Sequence, residues 1–350
     1  MKREDLDLAF MLRYENVAWY EDGEVKILDR RVYPTKIEFV SCLSHIQVAQ
    51  AIADMVTQSA GPYTAASMGM ALAGYESRNM PKDKMIQFLK KAAYTLSHSR
   101  PTTKNRMIQI TDGCLAVAKT AILSGKRVDE SIFYYTIDSL NRRYSAMEKV
   151  GKNLVSMFPS KGSIMTQCFG ETIVGMMLRV AKEENKDIKL FIPETRPYLQ
   201  GARLTASVAY DQGFDTTVIT DNMPAFIMKN KGIDLLTSAA DVICLDGNIT
   251  NKIGTYQLAI SAKYHEIPYF VTGIPDRDNP TLDTVKIEER DPREVLEIRG
   301  VKNTLEGVKG YYPSFDITPP HLISGVVTDK AIYSPYDIKK YFESKSEKFY

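Results

Sequence analysis

A cysteine, an aspartate and a lysine each follow a short apolar run in the second half of the chain. Cys168 comes directly after SIMTQ, Asp221 comes after TTVIT, and Lys252 follows DVICL by way of the polar stretch DGNITN. Thiol and carboxyl groups can move hydrogen, and an ammonium group can bind a phosphate. If the runs are parallel strands, their carboxyl ends share one edge of a sheet, and we expect the three side chains on one rim.

Side-chain amides accompany these three residues. Gln200 follows the run IKLFIPE, and Asn251 immediately precedes Lys252. An amide donates and accepts hydrogen bonds at once, which suits the recognition of hydroxyl groups. Further polar residues follow the same runs, namely Thr195, Arg196, Asn222, Asp246 and Asn248.

Each of these residues also has a purely structural interpretation. A lone cysteine is most often buried packing, although backbone N–H groups and the helix dipole at a strand-to-helix junction favour a thiolate at Cys168. Asp221, in TDNMP, could be the N-cap of the following helix. Asn251 and Lys252 could form a solvated helix entry. The sequence pattern leaves these alternatives open.

The second half of the chain alternates apolar runs with segments of helical spacing. Strands that are apolar throughout and joined by helices predict a parallel sheet covered on both faces. We therefore predict a doubly wound, Rossmann-like α/β domain over residues 151–350. Its strands are predicted in SIMTQC, IKLFIPE, TTVIT, DVICLDG, PYFVTGI and LISGVVT.

The first 150 residues have a different pattern. VAWYEDGEVKILDRRVYP predicts a hairpin around a DG turn, followed by another short strand. Helical spacing then predominates, which predicts a smaller, mostly helical domain over residues 1–150 that carries the hairpin. The predicted helices cover HIQVAQAIADMV, TAASMGMALAGY, PKDKMIQFLKKAAYTL, NRMIQITDGCLAVAKTAIL and the long segment that begins at VDES.

The charge balance argues against a nucleic-acid footprint. The 350 residues contain 45 Lys plus Arg and 43 Asp plus Glu, interleaved along the chain, for a net charge of +2. The N-terminus MKREDLDLAF lacks the apolar stretch of a signal peptide, and no run approaches the roughly 18 apolar residues of a membrane span. We expect a cytoplasmic protein without a nucleic-acid or membrane partner.

The cysteines, histidines and glycines carry no cofactor signal. The four cysteines and four histidines are dispersed without a CxxC, so neither a zinc site nor a disulfide framework is predicted. The sequence has no GxGxxG after a strand and no GxxxxGK[ST], so no dinucleotide or nucleoside-triphosphate site is indicated. We expect no cofactor and no metal. A helix entry such as FGET can still hold one phosphate, so a small phosphorylated substrate fits.

Several longer motifs resemble one enzyme family over nearly the whole chain. ETRPYLQGARLTA, TDNM, NKIGTYQLAISAKYHEIPYFV and SFDITPPHLISGVVTD are similar to the motif series of the methylthioribose-1-phosphate isomerase family. Its relatives include 5-deoxyribose-1-phosphate isomerase, ribose-1,5-bisphosphate isomerase and regulatory subunits of the exchange factor for translation initiation. The resemblance implies an aldose–ketose isomerase. It also implies a homodimer, because members of the family commonly form dimers.

The resemblance also implies roles for single residues. Cys168, in TQCFGE, matches the family's cysteine, and Asp221, in DNM, matches its aspartate; these two are the predicted catalytic residues. Residues at matching positions are expected to bind the phosphate and the sugar hydroxyls, namely Ser59, Ala60, Arg100, Gln200, Asn251 and Lys252.

The chain departs from the family around the phosphate loop. Where many relatives read RGAPAIG, this chain reads VTQSAGPYTAASMG and lacks the arginine, with Gln58, Ser59 and Ala60 in the loop. The resemblance implies a 5-deoxypentose 1-phosphate as substrate, either 5-methylthioribose 1-phosphate in methionine salvage or 5-deoxyribose 1-phosphate in its disposal. The alternatives are a ribose-1,5-bisphosphate isomerase and a non-catalytic scaffold like the translation-factor subunits.

Overall fold

The computed structural model describes residues 3–100 and 104–343 and divides them into two compact units. The first unit ends at Ser145 and the second begins at Ala146. The predicted boundary at residue 150 lies within the same long helix as this division, Val128–Val155. Each unit is described by itself below.

A small antiparallel sheet opens the first unit. Its strands pair in the order β1-β2-β3, and β1 and β2 form the predicted hairpin around Asp22 and Gly23, which both have positive φ. The third strand lies later than the sequence predicts, because Arg30–Thr35 forms turns and Phe39 begins the next pairing. The strands are β1 Ala18–Glu21, β2 Glu24–Leu28 and β3 Phe39–Cys42.

Helices make up the rest of the first unit, as predicted. Ser44 caps α2 by accepting a hydrogen bond from the Gln47 N–H. In α3, a Cβ at Gly69 would lie 2.9 Å from Leu96 of α4 and 3.0 Å from Val48 of α2. The glycine therefore lets both helices pack closely against α3. The helices are α1 Tyr14–Val17, α2 His45–Ala53, α3 Gly61–Glu76, α4 Lys82–Ser97, α5 Lys104–Ser124 and α6 Val128–Val155, after a short 3-10 helix Phe10–Leu12.

One helix of the described residues, α5, is long and apolar enough to cross a membrane by length and composition alone. In the structure α5 packs against α3 and α4 and buries Met107, Ile110 and Cys114. This packing accounts for its apolar residues.

A seven-stranded sheet forms the centre of the second unit, in the order β15-β14-β10-β7-β4-β5-β6. All neighbours are parallel except the edge strand β15. The strands are β4 Lys161–Gln167, β5 Asp187–Pro193, β6 Asp215–Ile219, β7 Leu235–Ala239, β10 Tyr269–Thr272, β14 Gly325–Val327 and β15 Ile332–Tyr333. The predicted parallel α/β fold is confirmed.

The central strands are buried on both faces. Consecutive residues at the end of β4, along most of β7 and throughout β10 are buried, so side chains that point to opposite faces are both covered. Helices α7 and α8 pack together, as do α9 and α10. The helices are α7 Thr172–Glu183, α8 Ala206–Asp211, α9 Pro224–Lys231, α10 Thr255–Tyr264 and α11 Arg293–Leu296.

Two smaller sheets accompany the main one. The run DVICLDG, predicted as a strand of the parallel sheet, instead supplies β8 to a three-stranded antiparallel sheet in the order β13-β9-β8. The fourth strand of the parallel sheet along the chain is the preceding LLTSA, β7. The remaining strands are β8 Val242–Ile243, β9 Ile249–Lys252, β11 Glu297–Ile298, β12 Val301–Lys302 and β13 Phe315–Thr318, and the 3-10 helices are Leu282–Thr284, Pro320–Leu322 and Pro335–Phe342.

A tight loop follows β5 and leads into a π-helical turn, Gly201–Thr205, that continues as α8. A Cβ at Gly201 would lie 1.9 Å from the carbonyl oxygen of Pro193, a backbone atom that cannot rotate away. Only glycine fits there, and the turn places Gln200 at its start.

We therefore expect Gly201→Ala to lower the free energy of unfolding by about 2 kcal/mol or more, because the added methyl group overpacks against the backbone. Gly213→Ala is the matched control: Gly213 has φ +87° with nothing within 4 Å of its Cβ position, so only the backbone cost of about 1 kcal/mol applies. Urea unfolding followed by circular dichroism measures both. Equal unfolding midpoints for Gly201→Ala and the wild type would contradict the prediction.

Candidate active site

The chain reverses its direction across the main sheet between β4 and β7. From β4 it proceeds through β5 to β6, and it then returns to the other side of β4 with β7 and continues to β10 and β14. Gln167 at the end of β4 is paired with Ser238 near the end of β7. In an open parallel sheet the crevice outside such a reversal is where ligands bind, and Cys168 is the first residue beyond β4.

Cys168 has an uncommon backbone conformation. Its φ is 57°, and Glu171, three residues later, has φ 49°. The Thr205 hydroxyl donates a hydrogen bond to the Cys168 carbonyl, so the turn after β5 holds the turn after β4. A left-handed conformation costs a residue with a side chain about 1 kcal/mol, and such strain is concentrated at functional sites.

Burial makes the Cys168 thiol a weak acid. It raises the pKa of the thiol to about 11, and Lys252, the Phe169 N–H and Arg290 each lower it while Asp241 raises it further. The Phe169 N–H at the helix entry does lower the pKa, as expected, but loss of hydration outweighs it together with the nearby positive groups. At pH 7 the thiol is protonated and can donate a hydrogen.

Asp221 holds the loop that leads to Gln200. Its two carboxylate oxygens accept hydrogen bonds from the N–H groups of Thr195 at 2.8 Å and Arg196 at 2.7 Å. Thr195 has a positive φ of 64°, a conformation that these bonds help to maintain. The alternative role as an N-cap is wrong, since Met223 precedes the first residue of α9. Both oxygens of Asp221 are thus used within the chain.

Asp241 is the acidic residue that the sequence interpretation missed. It comes two residues after the end of β7, its side chain is exposed, and its charge raises the pKa of Cys168. Its own N–H donates to the Thr250 carbonyl at 2.9 Å. The run LLTSAA directly before Asp241 was the signal that could have revealed it as a strand-end residue.

Gln200 is buried with part of its hydrogen-bonding capacity unused. The side chain is 5% exposed, and its Oε1 has no hydrogen-bond partner among the residues that the structure describes. A buried amide oxygen without a partner costs about 1–3 kcal/mol, so such atoms are commonly reserved for water or a ligand. This arrangement suits the predicted recognition of a hydroxyl group.

Asn251 and Lys252 lie at the end of β9, and both are buried. The Asn251 amide donates to the Thr255 hydroxyl at 3.0 Å. The Lys252 Nζ lies 4.5 Å from the centre of the Phe315 ring, on the paired strand β13. The alternative of a solvated helix entry is therefore wrong for these two residues. Lys252 is also the strongest of the cationic groups that act on Cys168.

The predicted site residues Ser59, Ala60 and Arg100 belong to the first unit, and their part in the site stays a prediction. Ala60 precedes α3, and Ser59 has φ 59°. Pro101 and Thr102 of the SRPT motif lie outside the described residues.

Gln58 and a buried arginine lie in the same loop region as Ser59 and Ala60. The Gln58 side chain is 3% exposed, and both of its amide atoms lack a hydrogen-bond partner within residues 3–100 and 104–343. The buried Arg30 guanidinium donates to the Gln58 carbonyl at 2.7 Å. The positively charged Arg30 side chain thus contacts the loop in which the family's arginine is missing.

The second unit brings several predicted residues together with Asp241, which was not predicted. Cys168, Lys252 and Asp241 interact electrostatically, and Thr205 links Cys168 to the turn that begins after Gln200. Asp221 supports that turn from the preceding loop. In the described part of the chain, no three His, Cys, Asp or Glu side chains are grouped so that they could hold a metal ion.

The chain is similar in sequence to known proteins along most of its length. The model of the Initiation factor 2 subunit family matches residues 58–335. A methylthioribose-1-phosphate isomerase from Chloroflexus aurantiacus is 33% identical over 336 residues, which cover 91% of this chain and 95% of that protein. The similarity therefore extends well beyond the individual motifs.

Two solved structures share the fold. The 5-methylthioribose 1-phosphate isomerase from Pyrococcus horikoshii OT3 has a TM-score of 0.84 and 29% identity, covering 93% of this chain and 95% of that one. The translation initiation factor eIF-2B, subunit delta, from A. fulgidus has a TM-score of 0.81 and 29% identity, covering 94% and 99%. One fold thus occurs in proteins with an enzyme's name and with a translation factor's name.

A protonated thiol at Cys168 predicts a steep pH dependence of its alkylation. Because only the thiolate reacts and the pKa is about 11, the rate of reaction with iodoacetamide should rise about tenfold per pH unit between pH 8 and 10. Peptide mass mapping measures the rate at Cys168, and the buried Cys42, Cys114 and Cys244 should stay unmodified in the intact fold. A rate that levels off below pH 9 would show a stabilised thiolate instead.

Proposed function

Because the chain belongs to the Initiation factor 2 subunit family and is an isomerase, we propose that it converts a 5-deoxypentose 1-phosphate to the corresponding ribulose 1-phosphate. The observation that carries the proposal is the placement of Cys168 just beyond β4, Asp241 just beyond β7 and Lys252 at the end of β9, with both charged groups acting electrostatically on the thiol. Hydrogen donor, carboxylate and cation are the groups that this isomerisation requires.

An aldose 1-phosphate presents a particular difficulty to an isomerase. Its anomeric oxygen is esterified, so the ring cannot open by loss of a proton from that oxygen. A carboxyl group must instead protonate the ring oxygen as its bond to C1 breaks. The carboxylate so formed then removes the C2 proton to give an enol, a thiol protonates C1, and its thiolate takes the O2 proton as the C2 carbonyl forms. The proton balance closes, and the acid is regenerated.

We assign the carboxyl role to Asp241 and the hydrogen transfer at C1 to Cys168. Asp241 is exposed, so its carboxylate can take up a proton from solvent before the ring opens, whereas both oxygens of Asp221, the acid predicted from the sequence, accept backbone N–H bonds. Asp221 then serves the site by keeping the loop before Gln200 in place.

Cations and amides would bind the rest of the substrate. Lys252 is proposed to bind the phosphate, and the resemblance implies a phosphate-binding role for Arg100 and for the loop at Ser59 and Ala60 as well. Gln200, with a free Oε1 among the described residues, and Asn251 are proposed to bind the hydroxyls. The family resemblance likewise suggests a homodimer, and we propose a cytoplasmic location.

A catalytically silent scaffold is the second candidate function. It is favoured by the structural similarity to the eIF-2B subunit delta from A. fulgidus. The connected set around Cys168 favours the enzyme, because a scaffold has no use for a strained cysteine among charged groups.

Substitution of the two aspartates distinguishes the assignment of the acid to Asp241 from its assignment to Asp221. Asp241→Asn should lower kcat at least a hundredfold with intact stability, because it removes the proton donor. Asp221→Asn should instead lower the free energy of unfolding by about 1–3 kcal/mol, because an amide NH₂ would face a backbone N–H. The loss is measured as a lower urea midpoint. Cys168→Ser should abolish turnover without loss of stability. Near-normal turnover of Asp241→Asn would return the acid role to Asp221.

The C5 substituent is tested by direct comparison of three sugars. We expect higher kcat/KM for 5-methylthioribose 1-phosphate or 5-deoxyribose 1-phosphate than for ribose 1,5-bisphosphate, which needs a second anion site. Ketose formation in coupled assays gives the three values under identical conditions. Preference for the bisphosphate would overturn the proposed substrate class, and lack of turnover with all three would favour the scaffold.

A further inference from the structure

Gln167 is a buried amide next to Cys168 that the assignments above do not use. It is the last residue of β4 and is 3% exposed. Met165, two residues earlier and therefore on the same face of the sheet, belongs to the core cluster that also contains residues of α9 and α10. The Gln167 side chain thus lies on that face at the carboxyl end of the strand, which is the edge where parallel α/β folds bind ligands.

One hydrogen bond fixes the orientation of the Gln167 amide. Its Nε2 donates to the Ile253 carbonyl at 3.2 Å, and Ile253 is itself held by its N–H, which donates to the Ser314 carbonyl at 3.0 Å. Because only the NH₂ group can face a carbonyl oxygen, Oε1 is turned away from Ile253. The bond also joins two segments that carry proposed site residues, since Gln167 precedes Cys168 and Ile253 follows Lys252.

The amide oxygen of Gln167 has no use within the described part of the chain. Oε1 is buried, and it has no hydrogen-bond partner in residues 3–100 and 104–343. A buried acceptor without a donor destabilises the folded state, so such an atom is commonly reserved for water or a ligand. A phosphate dianion offers only acceptor oxygens and cannot pair with Oε1, whereas a sugar hydroxyl can donate to it. The chemistry of this atom therefore matches a hydroxyl group.

We propose that Gln167 is a further substrate-binding residue: its Oε1, held in place by the bond from Nε2 to the Ile253 carbonyl, accepts a hydrogen bond from a ring hydroxyl of the sugar, O2 or O3. This inference rests on the proposed function. It adds an acceptor on the strand that leads to Cys168 to the two amides already assigned to hydroxyls, Gln200 and Asn251.

The test measures binding instead of turnover. Isothermal titration calorimetry gives dissociation constants for 5-methylthioribose 1-phosphate, its 2-deoxy and 3-deoxy analogues, and inorganic phosphate. All proteins carry Cys168→Ser, so that the bound sugar is not converted. Gln167→Met keeps the side-chain length without the polar atoms, and it should weaken binding of 5-methylthioribose 1-phosphate about tenfold or more, because the hydroxyl is left unpaired. Binding of inorganic phosphate should change less than about twofold, because Oε1 does not contact it.

The deoxy analogues distinguish a direct contact from a structural effect. When Gln167 is present, loss of the contacted hydroxyl should weaken binding about tenfold or more. In Gln167→Met the same loss should matter less, by about threefold or more, because the acceptor is already gone. The analogue that shows this change identifies the hydroxyl as O2 or O3. Equal weakening of all three sugars by Gln167→Met would instead show a structural role and overturn the inference.

Gln212 provides the matched control. It is also a buried amide of the second unit, its Nε2 donates to the Gly175 carbonyl at 3.1 Å, and its Oε1 has no partner among the described residues. However, Gln212 precedes β6, whereas Gln167 stands at the carboxyl end of β4. Gln212→Met should therefore leave all four dissociation constants within about twofold of those of the Cys168→Ser parent.

Urea midpoints show whether each variant is folded. If Gln167→Met does not fold, Gln167→Asn makes the same test. Its amide is one methylene shorter, so it cannot both hold the Ile253 carbonyl and reach the hydroxyl, and it should show the same change with the deoxy analogues.

Unchanged affinity of Gln167→Met and Gln167→Asn for all three sugars would overturn the inference, and so would a parent protein that binds phosphate but none of the sugars. If the wild type does not turn over any sugar while the analogues respond as expected, the proposed reaction is wrong but the hydroxyl contact stands. If turnover is present and the analogues do not respond, the reaction stands and Gln167 is a structural residue.

Discussion

The pairing of β4 with β7 is the constraint on which the site in the second unit depends. The two strands are distant in sequence, and their register aligns Gln167 with Ser238. This register brings the residues just beyond each strand, Cys168 and Asp241, to the same crevice. A slip by one residue would turn every side chain of the strand to the opposite face of the sheet, which the burial of both faces forbids. The packing of the core thereby determines which side chains meet at this edge of the sheet.

The sequence predicted most elements because their patterns are strong. The helices of the first unit have long apolar periodicity, and strands β4, β5, β6, β10 and β14 lie in the predicted runs. Strand β7 was missed because it buries polar residues. Ser238 is satisfied there by a bond of 2.6 Å with the Tyr269 hydroxyl, so the strand is buried without being apolar. The more apolar VICL beside it is a short antiparallel strand, and this error concealed Asp241 at the strand end.

Motifs identified residues better than they identified roles. Gln200, Asn251 and Lys252 stand out in specific strings, and each is buried in the structure. The two carboxylate oxygens of Asp221 accept hydrogen bonds from backbone N–H groups 25 and 26 residues earlier, a contact that no local pattern contains. Long-range packing decides such roles.

The opposed influences on Cys168 suit hydrogen transfer better than nucleophilic attack. Burial and Asp241 keep the thiol protonated, with a pKa of about 11, while Lys252 and Arg290 limit the cost of forming the thiolate. A permanently ionised sulfur would compete for the electrophilic C1, whereas a protonated one can donate its hydrogen and regain it. The environment of the cysteine therefore favours a reversible donor, and the fixed cations set how readily it donates.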